Sequence, residues 1–115
     1  MDNVADNNKK EILTQGNKAP LTVELAGGRV ILQEYRIVMR LGVGSSMWLL
    51  VALQNVINGG CTQEQAIDHN GQKVLTVLNE GRYIFIIGTN ARFVFNREVA
   101  KKLLAWFEAN CIGNN

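Results

Sequence analysis

Apolar and polar residues alternate along most of this chain, and glycine or asparagine interrupts the alternation every few positions. Leu21–Leu25 (LTVEL) has the period-two pattern of a half-buried strand and stops at Ala26-Gly27-Gly28. Arg29–Glu34 (RVILQE) is β-branched and apolar and can return antiparallel to it. In Tyr35–Leu41 (YRIVMRL), Tyr35, Ile37, Met39 and Leu41 share one face, while Arg36, Val38 and Arg40 share the other. Upstream, Glu11–Gln15 (EILTQ) reads as a strand or a helical turn, and Pro20 fits the first residue of an edge strand. Met1–Lys10 is polar and asparagine-rich, the composition of a mobile lead-in.

Met47–Ile57 (MWLLVALQNVI) is apolar almost throughout, and periodicity alone does not separate a buried helix from a buried strand there. Its length, a Ser45-Ser46 cap before it and Asn58-Gly59-Gly60 after it favour the helix. Residues 61–68 stay open: Thr62-x-x-Gln65 resembles a capping box, while Asn70-Gly71 signals a hairpin whose first strand they would form. Lys73–Leu78 and Arg82–Ile87 flank a turn at Asn79-Glu80-Gly81, and Gly88-Thr89-Asn90 turns the chain into Arg92–Phe95. Asn96 then caps an amphipathic helix with Glu98 in its first turn. Val99, Leu103 and Trp106 form one apolar row of that helix, with Ala100, Leu104 and Phe107 beside it.

The order of elements repeats. A shift of 53 residues places Glu11 on Glu64, Asn17 on Asn70, Leu25 on Leu78, Gly28 on Gly81, Arg29 on Arg82 and Ile31 on Ile84. A shift of 54 places Leu49-Leu50 on Leu103-Leu104. The expected fold is α+β: two ββββα repeats, about 11–60 and 61–112, whose antiparallel sheets pack with two helices in a single domain spanning 11–115. Within it, Arg82–Ile87 is apolar on both faces, so both faces should be covered. Helices cover one; the other should meet the second half-sheet or another copy of the chain, which predicts a homo-oligomer, a closed pseudo-dimer, or both.

Composition narrows the classes without naming one. The chain has 115 residues, 47% hydrophobic and 19% charged, enough for one buried core. A formal charge of +2 is too small to prove a nucleic-acid partner. Cys61 and Cys111 are too few for a disulfide framework and read as free thiols of a cytoplasmic or other intracellular reducing compartment. No apolar run is long enough to span a bilayer, and no secretory signal opens the chain, so no membrane partner is expected.

Catalytic chemistry finds little to stand on. His69, the single histidine, sits in the turn sequence Asp68-His69-Asn70-Gly71, and neither CxxC, HxxxH nor GxSxG occurs. Gly42-Val43-Gly44-Ser45-Ser46 lacks a Walker lysine and reads as a turn plus helix cap. No enzyme activity, cofactor or metal is expected. The basic strand residues say more: Arg29, Arg36, Arg40, Lys73, Arg82 and Arg92 fall in or beside strands, with Tyr35 and Tyr83 among them. Arginines on a sheet hold phosphates and aromatic rings stack unpaired bases, although a solvated strand face also favours arginine. Phe85, Phe93 and Phe95 read as core.

GGRVILQEYRIVMRLGVGSSMW in the first half and EGRYIFIIGTNARFVFNREVAKKLLAWF in the second carry a resemblance. In element order, glycine-arginine turns and strand-to-helix junctions, residues 10–110 resemble the Whirly and Pur-alpha type of single-stranded nucleic-acid-binding domain. That resemblance implies curved sheets that take single-stranded DNA or RNA through basic and aromatic side chains. The residues expected to bind are Arg29, Tyr35, Arg36, Arg40, Lys73, Arg82, Tyr83 and Arg92. The alternative is an assembly module that oligomerises through an apolar sheet face without nucleic acid.

Overall fold

The structure, a computed structural model, describes residues 8–111. Strands β1 (Asn8–Gln15), β2 (Lys18–Ala26), β3 (Arg29–Glu34) and β4 (Ile37–Leu41) form an antiparallel sheet in that order, and α1 (Val43–Leu53) follows. Strands β5 (Gln63–Ile67), β6 (Lys73–Asn79), β7 (Tyr83–Gly88) and β8 (Arg92–Asn96) form a second sheet, and α2 (Arg97–Asn110) follows. The fold is therefore α+β with ββββα order in each half, as the alternation predicts. Residues 63–67 are a strand, which resolves that segment in favour of the hairpin reading.

Period-two alternation sorts each sheet into an inner and an outer face. Leu21, Val23, Val30, Leu32, Met39 and Leu41 turn inward from the first sheet, and Leu75, Val77, Ile84, Ile86, Phe93 and Phe95 from the second. Each helix packs on strands of both sheets, so the helices and both inner faces share one core. Fully burying a side chain such as Phe93 or Leu103 contributes about 1.5–3 kcal/mol relative to leaving it exposed. The β2–β3 turn is held by Gly27 and Gly28 at φ +60° and +81°, the positive angles that a two-residue hairpin of right-handed twist needs.

The repeat has a sharper register than identities alone reveal. From β2 onward the halves superpose at a shift of 54, which carries the pair Val23–Leu32 onto Val77–Ile86 and Leu32–Met39 onto Ile86–Phe93. A shift of 53 holds in the first strand alone, where Glu11–Val23 corresponds to Glu64–Val77. The extra residue lies in the β5–β6 loop. Matching Ile31 to Ile84 across β3 and β7 would place an outward residue on an inward one, because a one-residue slip exchanges the faces.

Several boundaries differ from the expectation. β1 begins at Asn8, within the stretch Met1–Lys10 expected as a lead-in, and its residues through Leu13 pair with β2; residues 1–7 lie outside the described residues. Pro20 sits within β2, a central strand, where the ladder to β1 shifts between Leu13 and Gln15 and the ladder to β3 begins only at Leu21. A ladder irregularity is a place where a missing N–H is tolerated. Tyr35 leaves the strand for the β3–β4 turn, at φ +56°. α1 starts at Val43 with Gly42 as N-cap, not at the serines, and Ser46 Oγ instead donates to the Val43 carbonyl at 3.0 Å.

α1 closes in a π-helical turn, Gln54–Asn58, in which the Gly59 amide donates to the Gln54 carbonyl at 3.1 Å. A Cβ on Gly59 would lie 2.8 Å from the Asn55 carbonyl oxygen, so the wide turn needs glycine there. The carbonyls it leaves over find side chains from the second half. Asn79 Nδ2 donates to the Val56 carbonyl at 3.2 Å, and an Arg97 NH2 group donates to the Ile57 carbonyl at 3.3 Å. A second tie crosses at the far side: Lys18 Nζ lies 3.3 Å from the buried Glu34 carboxylate and donates to the Val94 carbonyl of edge strand β8 at 2.7 Å.

Candidate functional site

β7 presents Tyr83, Phe85 and Ile87 outward because Ile84 and Ile86 take the inner positions. Strand pairing sets Leu78 and Val94 on either side of Phe85, and Thr76 and Arg92 on either side of Ile87. Tyr83 is 49% exposed, whereas Phe85 and Ile87 are half-buried among their neighbours. The Arg92 guanidinium lies over the Phe85 ring at 5.9 Å from its centroid. Such stacking holds the cation over the ring and leaves its edges free to donate.

The strand positions of this outer face carry no acidic side chain among the described residues. Glu64 lies in the inward row with Val77 and accepts from Asn55 Nδ2 at 3.3 Å. Asp68 sits in the β5–β6 loop, where its Oδ1 accepts from the amides of Asn70 at 2.8 Å and Gln72 at 3.0 Å. Glu80 lies in the β6–β7 hairpin, where its amide donates to the Tyr83 carbonyl at 2.9 Å and sets it opposite Tyr83 at the end of the face. Beside Glu80, Arg82 adds a cation at the Tyr83 end of the face, while Lys73 begins β6 at the Arg92 end. Aromatic rings thus lie between basic groups.

The first sheet is built differently. Pairing sets Lys10, Glu24, Ile31 and Arg40 in one row across its outer face, so a carboxylate lies within the basic group. Arg29 joins at the β2–β3 end. At the opposite end the exposed Tyr35 stands in its turn with the Arg36 guanidinium 5.3 Å from its ring centroid. All eight predicted residues are exposed, but they form two groups on two sheets. Arg29, Tyr35, Arg36 and Arg40 belong to one, and Lys73, Arg82, Tyr83 and Arg92 to the other.

Of the two covers expected over β7, the structure describes the one on its inner side. There α2 packs on β7, and the Met39 side chain of β4 reaches Gly88 at its end. Phe85, read from sequence as core, is an outer-face residue, and its shared parity with Tyr83 was the available signal. Arg97 was also missed, because nothing local marks a helix residue that serves carbonyls 40 positions away.

A cleft of about 460 Å³ separates the halves where β4 and the start of α1 approach β6 and the β7–β8 turn. Met39, Ser45, Trp48, Leu75 and Asn90 line it, and Arg40 is its one charged lining residue. His69 is exposed in its loop, and the described residues hold no group of three or more metal-binding side chains. No described helix is long and apolar enough to cross a membrane. Both cysteines are free thiols. No family model, curated protein or solved structure matches the chain.

Proposed function

We propose that the chain is a binding module that takes single-stranded nucleic acid on the outer face of the β5–β8 sheet. One observation carries the reading. Tyr83 and Phe85 lie in file on a face that has Arg92 stacked at 5.9 Å over Phe85 and no acidic side chain at its described strand positions, Glu80 standing only at the hairpin end beside Arg82. Unpaired bases stack on the exposed Tyr83 and on what Phe85 leaves open, while Arg92, Arg82 and Lys73 meet phosphates from the two ends. Gln63, Gln65, Thr76 and Asn96, on the same face by parity, offer amides and a hydroxyl to base edges. The resemblance to Whirly and Pur-alpha type domains points the same way, and the free thiols fit a reducing intracellular compartment.

Labelled single-stranded oligo-dT and oligo-U, titrated at two salt concentrations and followed by fluorescence anisotropy, test it. Three phosphate contacts give a slope of about −2 in log K against log salt. Tyr83→Ala weakens binding about tenfold, since stacking contributes about 1–3 kcal/mol per base. Arg92→Ala weakens it and flattens the slope by about 0.7. Absence of binding at low salt refutes the proposal.

A further inference from the structure

α1 displays apolar side chains where a solvated helix would carry charge. Val43 is 66% exposed, Met47 42% and Val51 51%, and their spacing of four residues aligns them in one ridge. The fold does not demand this. At the shift of 54 that relates the halves, the corresponding positions on α2 hold Arg97, Lys101 and Ala105, and Lys101 is exposed. The same architectural place thus accepts a charged surface in one half and an apolar one in the other.

We infer that this ridge is a self-association surface, and that its occupant is α1 of a second copy. The order Val–Met–Val is the same read in either direction. A two-fold axis through Met47 therefore sets Met47 on its own counterpart and Val43 on the partner's Val51, the reciprocal matching that an isologous interface requires. The two helices then run antiparallel with opposed dipoles, and their i±4 ridges interlock as in common helix pairs. Gly44, with open space where a side chain would stand, leaves room beside the ridge.

Charge argues for the same occupant. No Asp, Glu, Lys or Arg occurs between Arg40 and Glu64, so the copy brings no like charge to the axis. A nucleic acid finds no cation on this ridge. One helix pair buries less than the roughly 800 Å² per partner of a standard interface, so the dimer is weak and forms with concentration.

Sedimentation velocity on the full chain, from micromolar to millimolar, reads this directly. The weight-average mass rises from one chain towards two. Met47→Glu, which brings two carboxylates together at the axis, raises the dissociation constant at least tenfold with an unchanged circular-dichroism spectrum. Lys101→Glu on α2 leaves it unchanged. Met47→Cys in a Cys61→Ser, Cys111→Ser background cross-links to a covalent dimer under diamide, which keeps the test valid if the glutamate variant misfolds. A single-chain mass throughout, association indifferent to Met47→Glu, or no cross-link overturns the inference; nucleic-acid affinity can survive any of these outcomes.

Discussion

α1 and α2 occupy equivalent places in the two halves and are stabilised in different ways. α2 carries its own signals: Asn96 Oδ1 accepts the Val99 amide at 2.9 Å, Glu98 stands in the first turn, and charged residues face water. α1 has Gly42 as N-cap with no side-chain bond, no acid in its first turn and no base in its last. The buried positions nevertheless correspond, with Leu49, Leu50 and Leu53 matching Leu103, Leu104 and Phe107. Packing alone is enough to specify a helix here. Local signals then decide how far its ends and outer face depend on the rest of the molecule.

The largest expected effect lies where α1 depends on the other half. Arg97 donates to the Asn79 side chain and the Gly81 carbonyl at 3.4 Å and to the Ile57 carbonyl at 3.3 Å. Arg97→Met keeps the side-chain stem and leaves the half-buried Ile57 carbonyl without this donor. Stripping a partner from a buried polar group costs about 1–3 kcal/mol, and the long bonds place this case towards the lower end. Urea denaturation should show that loss with an unchanged m-value. A loss below about 0.5 kcal/mol, the bottom of the range for a single hydrogen bond, would mean that water serves the π-helical turn equally well.

Exchanging the caps gives opposite signs in the two helices. Asn96→Ala removes the bond to Val99 and costs about 1 kcal/mol. Gly42 lies at φ −73° with open space at its Cβ position, so Gly42→Asn should gain about 0.5 kcal/mol by capping and by restricting the unfolded chain. Thermal melts of the two variants and the double variant measure both terms. If Gly42→Asn loses stability, the α1 start is held by contacts that the cap disturbs, and the halves are less alike than their registers suggest.

Legibility from sequence follows the same division. α2 could be read almost residue by residue, because its period and cap are local; all six predicted apolar positions are buried. The strands were legible from alternation, and the β2–β3 turn from Gly27-Gly28. The start of α1 was not, since an apolar run hides its period and Ser45-Ser46 imitates a cap. Its π-helical end depends on Asn79 and Arg97, far away in the chain. Exposure of the eight candidate residues was readable, whereas their division between two outer faces was not. Grouping is a property of how the sheets sit on the helices, and it separates Arg92 beside Phe85 from Arg36 beside Tyr35.

The smallest effect concerns the cysteines that follow the two helix ends. Cys61 Sγ lies 3.2 Å from the Gln63 carbonyl it donates to, whereas burial pushes the Cys111 thiol above its ordinary range. A raised value means that the folded chain keeps this proton after the unfolded chain has released it. The contribution to stability is therefore fully present below the unfolded value of about 8.5 and is lost as pH rises through the folded one. In a Cys61→Ala background, the stability difference between Cys111 and Cys111→Ala should stay constant from pH 6 to about 8 and shrink above that. Comparing the pair cancels the lysines and tyrosines that also titrate there. A difference that stays flat to pH 10 would place Cys111 in water at the end of α2.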